Sequence, residues 1–125
     1  MKNNYIIENN HLKTEAFDVE FGFPVKTVIY YDEIFVVMLD IPTGVYEMNN
    51  IYGVDKAGRI LWRIEDSKIK FPIKRSTKVD YLETPIYVGM NQDTDGSFFG
   101  ITFWAMKYTF DYKTGKLLDK KWMRW

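Results

Sequence analysis

Apolar and polar positions alternate most regularly in residues 49–65, NNIYGVDKAGRILWRIE. Within this stretch, residues 59–64 place Ile, Trp and Ile at every second position, and this period of two is typical of a strand with one buried face. Residues 55–58, DKAG, combine an Asp whose carboxylate can accept turn N–H groups with a Gly suited to positive φ. The pattern therefore predicts a β-hairpin whose inner face buries Trp62.

Three further stretches indicate strands of different exposure. Residues 17–23, FDVEFGF, alternate apolar and polar side chains and predict a half-buried strand. Residues 34–39, IFVVML, are apolar without alternation, which predicts a strand covered on both faces at the centre of the core. Residues 98–111 are long and apolar on both faces, and Gly100 indicates a β-bulge there. Short strands are also predicted near residues 5–7, 25–31 and 85–90, and residues 116–125 are predicted to form a final strand or a docked tail.

The sum of these patterns is a β protein. No segment shows a convincing 3.6-residue period, and 9 Phe, 9 Tyr and 4 Trp in 125 residues favour strands over helices. We expect an all-β fold of eight to ten strands in two packed antiparallel sheets, similar to a β-sandwich. A chain of this length buries roughly two-thirds of its unfolded surface, so we expect one domain spanning residues 1–125.

The absence of cysteine narrows the chemistry. It excludes a disulfide scaffold, thiol catalysis and thiolate metal sites, and it is compatible with a reducing compartment. The first 15 residues hold no apolar run that could serve as a secretory signal, and no stretch approaches the roughly 18 apolar residues of a membrane span. We therefore expect a cytoplasmic protein.

Charge is balanced overall but divided along the chain. Residues 1–65 hold 10 Asp or Glu against 6 Lys or Arg, whereas residues 66–125 hold 7 against 11. The acidic excess is sharpest between Glu8 and Glu47, and a face of that kind would attract basic partners and repel nucleic acid and anionic membranes. The same charges could instead be ordinary solvated strand edges, and the sequence favours that simpler interpretation.

The basic part of the chain lies in residues 66–84, where cations are interleaved with Ile and Phe. We expect this segment to form a loop with an edge strand. Lys and Pro on an edge strand oppose edge-to-edge pairing, and this interpretation outweighs a nucleic-acid patch on a neutral protein. The cations concerned are Lys68, Lys70, Lys74, Arg75 and Lys78.

Catalytic residues are scarce. His11 is the single histidine and lies in a polar lead-in, where a solvent-exposed side chain is expected rather than a catalytic base. Residues 91–98, NQDTDGSF, place oxygen-bearing side chains like a calcium loop, but position twelve is Thr102 where Glu is required, so a plain turn is favoured. There is no phosphate-binding glycine motif. We expect no enzymatic activity, no catalytic residues, no metal and no cofactor.

Two hairpins share a local pattern, IYGVDKAGRILW in residues 51–62 and YTFDYKTGKLL in residues 108–118. Both resemble the hairpin of quinoprotein-type (PQQ-like) β-propeller repeats, in which an apolar arm, Asp, a turn ending in Gly and a second apolar arm recur. A closed propeller needs at least about four blades, more than 125 residues supply, so quinone binding is not implied.

A second resemblance covers the whole chain. The order of residues 5–12 (YIIENNHL), 17–42 (the FDVEFGF to MLDIP block), 49–65 and 110–118 resembles that of small bacterial immunity proteins, the partners of secreted polymorphic or contact-dependent toxins. This resemblance implies a cytoplasmic protein that binds one cognate toxin domain and neutralises it, without nucleic acid or membrane, as a monomer or weak dimer.

The candidate partner-binding residues are Asp18, Glu20, Asp32 and Glu33. Strand alternation places Asp18 and Glu20 on one polar face, and a turn before the central strand exposes Asp32 and Glu33. An alternative function is a small-molecule-binding β-domain with an aromatic-lined pocket. The rings considered for such a pocket, Trp62, Trp104 and Tyr108, are each assigned to the core in preference.

Overall fold

The computed structural model describes residues 4–71, 85–103 and 105–123, and this part of the chain holds eleven strands and one short helix. The bounds are β1 (Ile6–Glu8), β2 (His11–Lys13), β3 (Asp18–Glu20), β4 (Val25–Tyr31), β5 (Ile34–Leu39), β6 (Ile51–Asp55), β7 (Ile60–Arg63), α1 (Ser67–Lys70), β8 (Tyr87–Gln92), β9 (Phe98–Thr102), β10 (Met106–Phe110) and β11 (Leu117–Trp122).

The strands form three antiparallel sheets, each a simple meander. The first sheet has the order β1-β2-β3, the central sheet β4-β5-β6-β7, and the third sheet β11-β10-β9-β8. The prediction of an all-β fold is therefore confirmed. The expected number of sheets was too low by one, and the strand count slightly exceeds the predicted eight to ten.

The central sheet is covered on both faces, as the unbroken apolar run in β5 predicted. Side chains of Phe35, Val37 and Leu39 belong to the core shared with the first sheet. Val36 and Met38 point the opposite way, into the core shared with the third sheet. Because neighbouring side chains of a strand alternate between faces, both sets must be apolar when both faces are buried.

The extra sheet is formed by residues 6–20, for which the sequence predicts strands near residues 5–7 and 17–23 and a polar lead-in around His11. β1 and β2 are joined through Asn9, whose φ of 55° is a conformation that Asn tolerates, and Leu12 of β2 is fully buried. The Tyr5 hydroxyl also donates a hydrogen bond to the Val28 carbonyl of β4. Strands of three residues are too short to show a period, so their pairing could not be predicted.

The predicted long strand over residues 98–111 is wrong, because the chain reverses between β9 and β10. Ala105 has a φ of 64° and donates its N–H to the Thr102 carbonyl at 3.0 Å. Gly100 is also not a bulge, since the register shift beside β9 lies in β8 between Tyr87 and Gly89. A Cβ on Gly100 would instead overlap the Tyr87 ring, so this glycine makes room for an aromatic side chain.

The two similar hairpins, β6–β7 and β10–β11, are built by the same turn chemistry. The Asp55 carboxylate accepts the N–H groups of Ala57 and Arg59 at 2.9 Å, and Gly58 has a φ of 86°. Asp111 and Gly115 take the corresponding places, with Lys113 N–H donated to the Asp111 carboxylate at 2.8 Å and a φ of 75° at Gly115. The predicted turn over residues 55–58 is confirmed.

Each of these turn glycines lies under an aromatic ring of the preceding sheet. A Cβ on Gly58 would meet Phe17 at 2.6 Å, and a Cβ on Gly115 would meet Trp62 at 2.6 Å. Trp62 is 8% exposed, which confirms its predicted burial, and its indole N–H donates to the Tyr112 carbonyl at 2.9 Å. The first sheet thus docks on the central hairpin, and the central sheet docks on the hairpin of the third.

A buried amide also joins the central and third sheets. Asn50 is fully buried and donates from Nδ2 to the carbonyls of Leu39 and Tyr87, at 2.7 and 2.9 Å. Its Oδ1 accepts the Tyr87 N–H at 2.7 Å. Three hydrogen bonds satisfy this side chain, so it can be buried without the cost of an unpaired polar group.

The segment predicted as a loop with an edge strand begins with the one-turn helix α1. Asp66 caps α1 by accepting the Lys68 N–H at 2.9 Å. Residues 72–84, with Lys74, Arg75 and Lys78, lie outside the described residues. Within the described ranges, no helix has the length and apolar character needed to cross a bilayer.

Candidate protein-binding surface

Four hairpin turns meet at one end of the molecule, which we call the turn end: residues 32–33, 55–58, 93–96 and 111–115. A meander places alternate turns at the same end of a sheet, so each four-stranded sheet contributes two of them. Side chains then join the sheets there. Tyr112 contacts Asp32, and a Cβ on Gly96 would lie 3.9 Å from the Tyr31 hydroxyl.

The turn between β4 and β5 presents the predicted residues Asp32 and Glu33. Both have positive φ, 49° and 67°, which is the conformation of a tight type I′ hairpin turn. Both side chains are exposed, and the Glu33 carboxylate pairs with Lys56 at 2.9 Å. The hydrogen bond to Glu33 raises the pKa of the Lys56 ammonium. Asp32 and Glu33 therefore lie exposed at a turn before β5, as predicted.

Asp32 is held by a tyrosine from the third sheet. The Tyr112 hydroxyl donates to Asp32 Oδ2 at 2.6 Å, and this hydrogen bond raises the pKa of Tyr112 to about 12. The Tyr112 ring meets Tyr31 edge-on with ring centroids 5.1 Å apart, and Tyr31 is 40% exposed. The turn end therefore combines a fixed carboxylate with partly exposed aromatic rings.

The second predicted pair, Asp18 and Glu20, lies on the outer face of the first sheet. This face is formed by the side chains of β1 to β3 that point away from the central sheet: Ile6, Glu8, His11, Lys13, Asp18 and Glu20. Val19 between the pair packs on the inner core, so Asp18 and Glu20 do share one exposed face, with side chains 51% and 69% exposed.

His11 lies between these two carboxylates. Its Nδ1 is 2.8 Å from Asp18 Oδ1, and its Nε2 is 3.9 Å from Glu20 Oε2. The expected lead-in around His11 is wrong, because His11 belongs to strand β2; its side chain is partly exposed, at 32%. The strand pairs His11 with Glu20, which brings the ring and the carboxylates together.

The two acidic pairs are neighbours but do not form one cluster. No hydrogen bond or ion pair between described residues joins Asp18 or Glu20 directly to the turn of residues 32–33. The connection is indirect, since Phe17 lies on Gly58 and Lys56 of the same turn binds Glu33. A partner that contacts both pairs would have to span the first sheet and the turn end.

Two of the three rings considered for a ligand pocket lie in the core. Tyr108 is 1% exposed and Trp62 is 8% exposed, and both belong to the core between the central and third sheets. Trp104 lies outside the described residues. The rings that reach the surface at the turn end are instead those of Tyr31 and Tyr112.

The loop with calcium-like spacing is a hairpin turn between β8 and β9. Its Asp93 pairs with Lys107 at 2.9 Å, and its Asp95 accepts the Ser97 N–H at 3.0 Å, which lowers the pKa of the Asp95 carboxyl. In the part of the chain that the structure describes, no three His, Asp or Glu side chains are grouped so that they could hold a metal ion.

Comparison with known families places the chain. A model described as a domain of unknown function, DUF7957, matches residues 2–122. The chain belongs to the DUF7957 family. The comparison with curated proteins gives no match. Membership in DUF7957 assigns no chemistry to the chain.

Sequence reasoning missed three residues of this DUF7957 surface: His11, Tyr31 and Tyr112. No local signal placed His11 beside Asp18 and Glu20, because the pairing of β2 with β3 brings them together and strands of three residues show no period. No local signal existed for Tyr112, since it contacts Asp32 across 80 positions of the chain. The pattern of residues 25–31 predicts only that Tyr31 ends a strand.

Proposed function

We propose that this protein is an immunity-type binding protein that neutralises a cognate bacterial toxin by protein–protein contact, without catalysis. The observation that carries the proposal is the presentation of exposed carboxylates from rigid β-structure, with exposed aromatic surface beside them. The carboxylates are Asp18, Glu20, Asp32 and Glu33, and the nearest partly exposed ring at the turn end is Tyr31.

The chemistry of a toxin explains why carboxylates would be used. A toxin that cleaves nucleic acid holds phosphates with Lys and Arg, and an inhibitor can fill that basic groove with carboxylates in place of phosphates. The groups must be fixed in advance, because ordering them on binding costs affinity. Strand pairing fixes Asp18 and Glu20, while the tight turn and the Tyr112 hydrogen bond fix Asp32.

The internal partners of these carboxylates leave capacity for a second partner. Asp18 and Glu20 share one histidine ring, and both side chains remain at least half exposed. A carboxylate offers about four lone-pair sites, so one internal hydrogen bond does not saturate it. Charges of this kind speed association and make it sensitive to salt.

The test is growth rescue and binding with a toxin domain encoded beside the gene for this protein. Coexpression should restore growth, and purified proteins should bind. Neutralising variants, Asp18→Asn with Glu20→Gln and Asp32→Asn with Glu33→Gln, should each slow association and flatten its salt dependence. Neutral amides are preferable to lysine at the turn, because Asn keeps the positive φ of position 32 accessible.

A matched control removes two exposed carboxylates elsewhere, Asp40 after β5 and Asp119 in β11, by Asp40→Asn with Asp119→Asn. This control loses the same charge, so it should leave the association rate and its salt dependence close to those of the unmodified protein. The proposal is overturned if no adjacent gene encodes a secreted toxin domain that the protein binds. The acidic surface is overturned if both neutralising variants behave like the control.

A further inference from the structure

The carboxylate of Asp32 is fixed at one oxygen and open at the other. Oδ2 accepts the Tyr112 hydroxyl at 2.6 Å, whereas Oδ1 accepts no hydrogen bond from the described residues. Glu33, the next residue in the same turn, is compensated by Lys56 at 2.9 Å. Asp32 has no such cation among the described residues, so its negative charge remains available to an incoming group.

Aromatic rings stand directly beside that charge. Tyr31 is 40% exposed and meets Tyr112 and Phe98 edge-on, with centroids 5.1 and 5.7 Å apart. Phe98 is fully buried and supports both tyrosines from below, with its centroid 5.4 Å from that of Tyr112. The rings are thus held by packing, and their positions need not be fixed when a partner binds.

The Tyr112 ring already attracts a cation. Lys113 Nζ lies 5.8 Å from its centroid, a distance at which the ring quadrupole draws positive charge. An ammonium supplies a point charge, whereas a guanidinium is planar and can stack on an aromatic ring while its N–H groups donate to a neighbouring carboxylate oxygen. A fixed carboxylate beside partly exposed tyrosines suits the second group better than the first.

We propose that Tyr31, Asp32 and Tyr112 form a receptor for one arginine side chain of the protein partner. The guanidinium binds the open oxygen of Asp32 and packs against Tyr31. Tyr112 is a positioning residue, which acts by holding the Asp32 carboxylate. This inference rests on the proposed function for the identity of the partner, but the receptor can be tested without it.

The test without a partner uses two blocked peptides of equal length, one with a single arginine and one with a single lysine. NMR titration of the whole protein should show the arginine peptide perturbing the ring signals of Tyr31 and Tyr112, and the lysine peptide perturbing them less. Asp32→Asn should remove the difference, because Asn keeps the turn but not the charge. Equal perturbation by both peptides, or none by either, overturns the inference.

The test with a partner uses a toxin domain that the protein binds. Asp32→Asn and Tyr31→Leu should each weaken binding about tenfold or more, as truncation of a central anchor does. Leu keeps apolar bulk against Phe98 while removing the aromatic face. The control Tyr46→Leu changes a tyrosine that is 79% exposed in a different loop, and should change affinity less than about twofold.

The two failures can be told apart. Unchanged affinity of both variants for a toxin that the unmodified protein binds overturns the arginine receptor and leaves the proposed function standing. Absence of any bound toxin overturns the proposed function, and the peptide titration then still decides whether the receptor exists.

Discussion

Trp62 packs over Gly53, so the two positions should be strongly coupled. Gly53 lies opposite Trp62 in the pairing of β6 with β7, and a Cβ on Gly53 would overlap the indole ring. The same ring covers Gly115 and meets Phe110 edge-on, with centroids 5.8 Å apart. This arrangement suits a double-mutant cycle. The methyl group that Gly53→Ala adds should destabilise the protein when Trp62 is present, but not when Trp62 has been replaced by alanine.

The single changes should both destabilise the protein. Trp62→Ala removes an almost fully buried indole and the hydrogen bond to the Tyr112 carbonyl, and should cost about 3–5 kcal/mol. Gly53→Ala should cost about 1–3 kcal/mol, because the methyl group forces the ring or the strand to move. Gly53 does not have a positive φ, so backbone strain adds nothing to this cost.

The double variant should behave differently. Once the indole is gone, the methyl group at position 53 enters space that the ring left, and alanine lowers the entropy of the unfolded chain relative to glycine. Gly53→Ala should then be neutral or stabilise by about 0.5 kcal/mol. The expected coupling free energy, the difference between these two effects of Gly53→Ala, is about 1–3.5 kcal/mol.

Urea unfolding of the four proteins measures these values. Far-ultraviolet circular dichroism should be the signal, because removal of a tryptophan changes the fluorescence, and equal m-values would show that the unfolded states are comparable. Additive effects would contradict the packing of Trp62 over Gly53. A cost below about 1 kcal/mol for Trp62→Ala would place the ring on the surface.

Three other substitutions probe single contacts. Asn50→Leu should cost at least about 2 kcal/mol in urea unfolding, because it leaves the Leu39 carbonyl and the Tyr87 backbone groups unpaired in the core. A loss of stability below about 0.5 kcal/mol would contradict this role of Asn50. The buried Tyr87 hydroxyl has no hydrogen-bond partner among the described residues, so Tyr87→Phe should leave stability unchanged or raise it by up to about 1 kcal/mol. A clear loss of stability would reveal a partner. Asp32 raises the pKa of Tyr112 from 10.0 to about 12, so the stability that this hydrogen bond contributes is present below pH 10 and lost as the pH rises to 12. Tyr112→Phe should remove this loss of stability between pH 10 and pH 12. The urea midpoint measured against pH tests it.

Local chemistry explains which elements the sequence could predict. The turn over residues 55–58 follows from Asp55 and Gly58 at its first and last positions, and the buried strand β5 follows from its unbroken apolar run. Both signals lie within a few residues. The prediction of one long strand over residues 98–111 failed because apolar side chains continue through the reversal of the chain. Ala105 carries no turn signal, although its φ is positive.

The candidate surface was predictable only in part, for the same reason. Alternation placed Asp18 and Glu20 on one face, and a turn placed Asp32 and Glu33 in solvent. What each carboxylate contacts depends on strand pairing and sheet packing. Tyr112 reaches Asp32 because the third sheet packs on the central sheet and brings their turns together, and no pattern near either residue encodes that contact.

The glycines of the two similar hairpins carry two constraints at once. Turn geometry requires positive φ at Gly58 and Gly115, and this requirement alone would allow Asn. Each glycine also lies against an aromatic ring, Phe17 or Trp62, at a distance that leaves no room for a Cβ. The glycines therefore serve the packing between sheets as well as the turns. Phe17, next to β3, packs on Gly58 of the β6–β7 hairpin, and Trp62 of β7 packs on Gly115 of the β10–β11 hairpin, so successive meanders pack on each other at positions where no side chain intervenes.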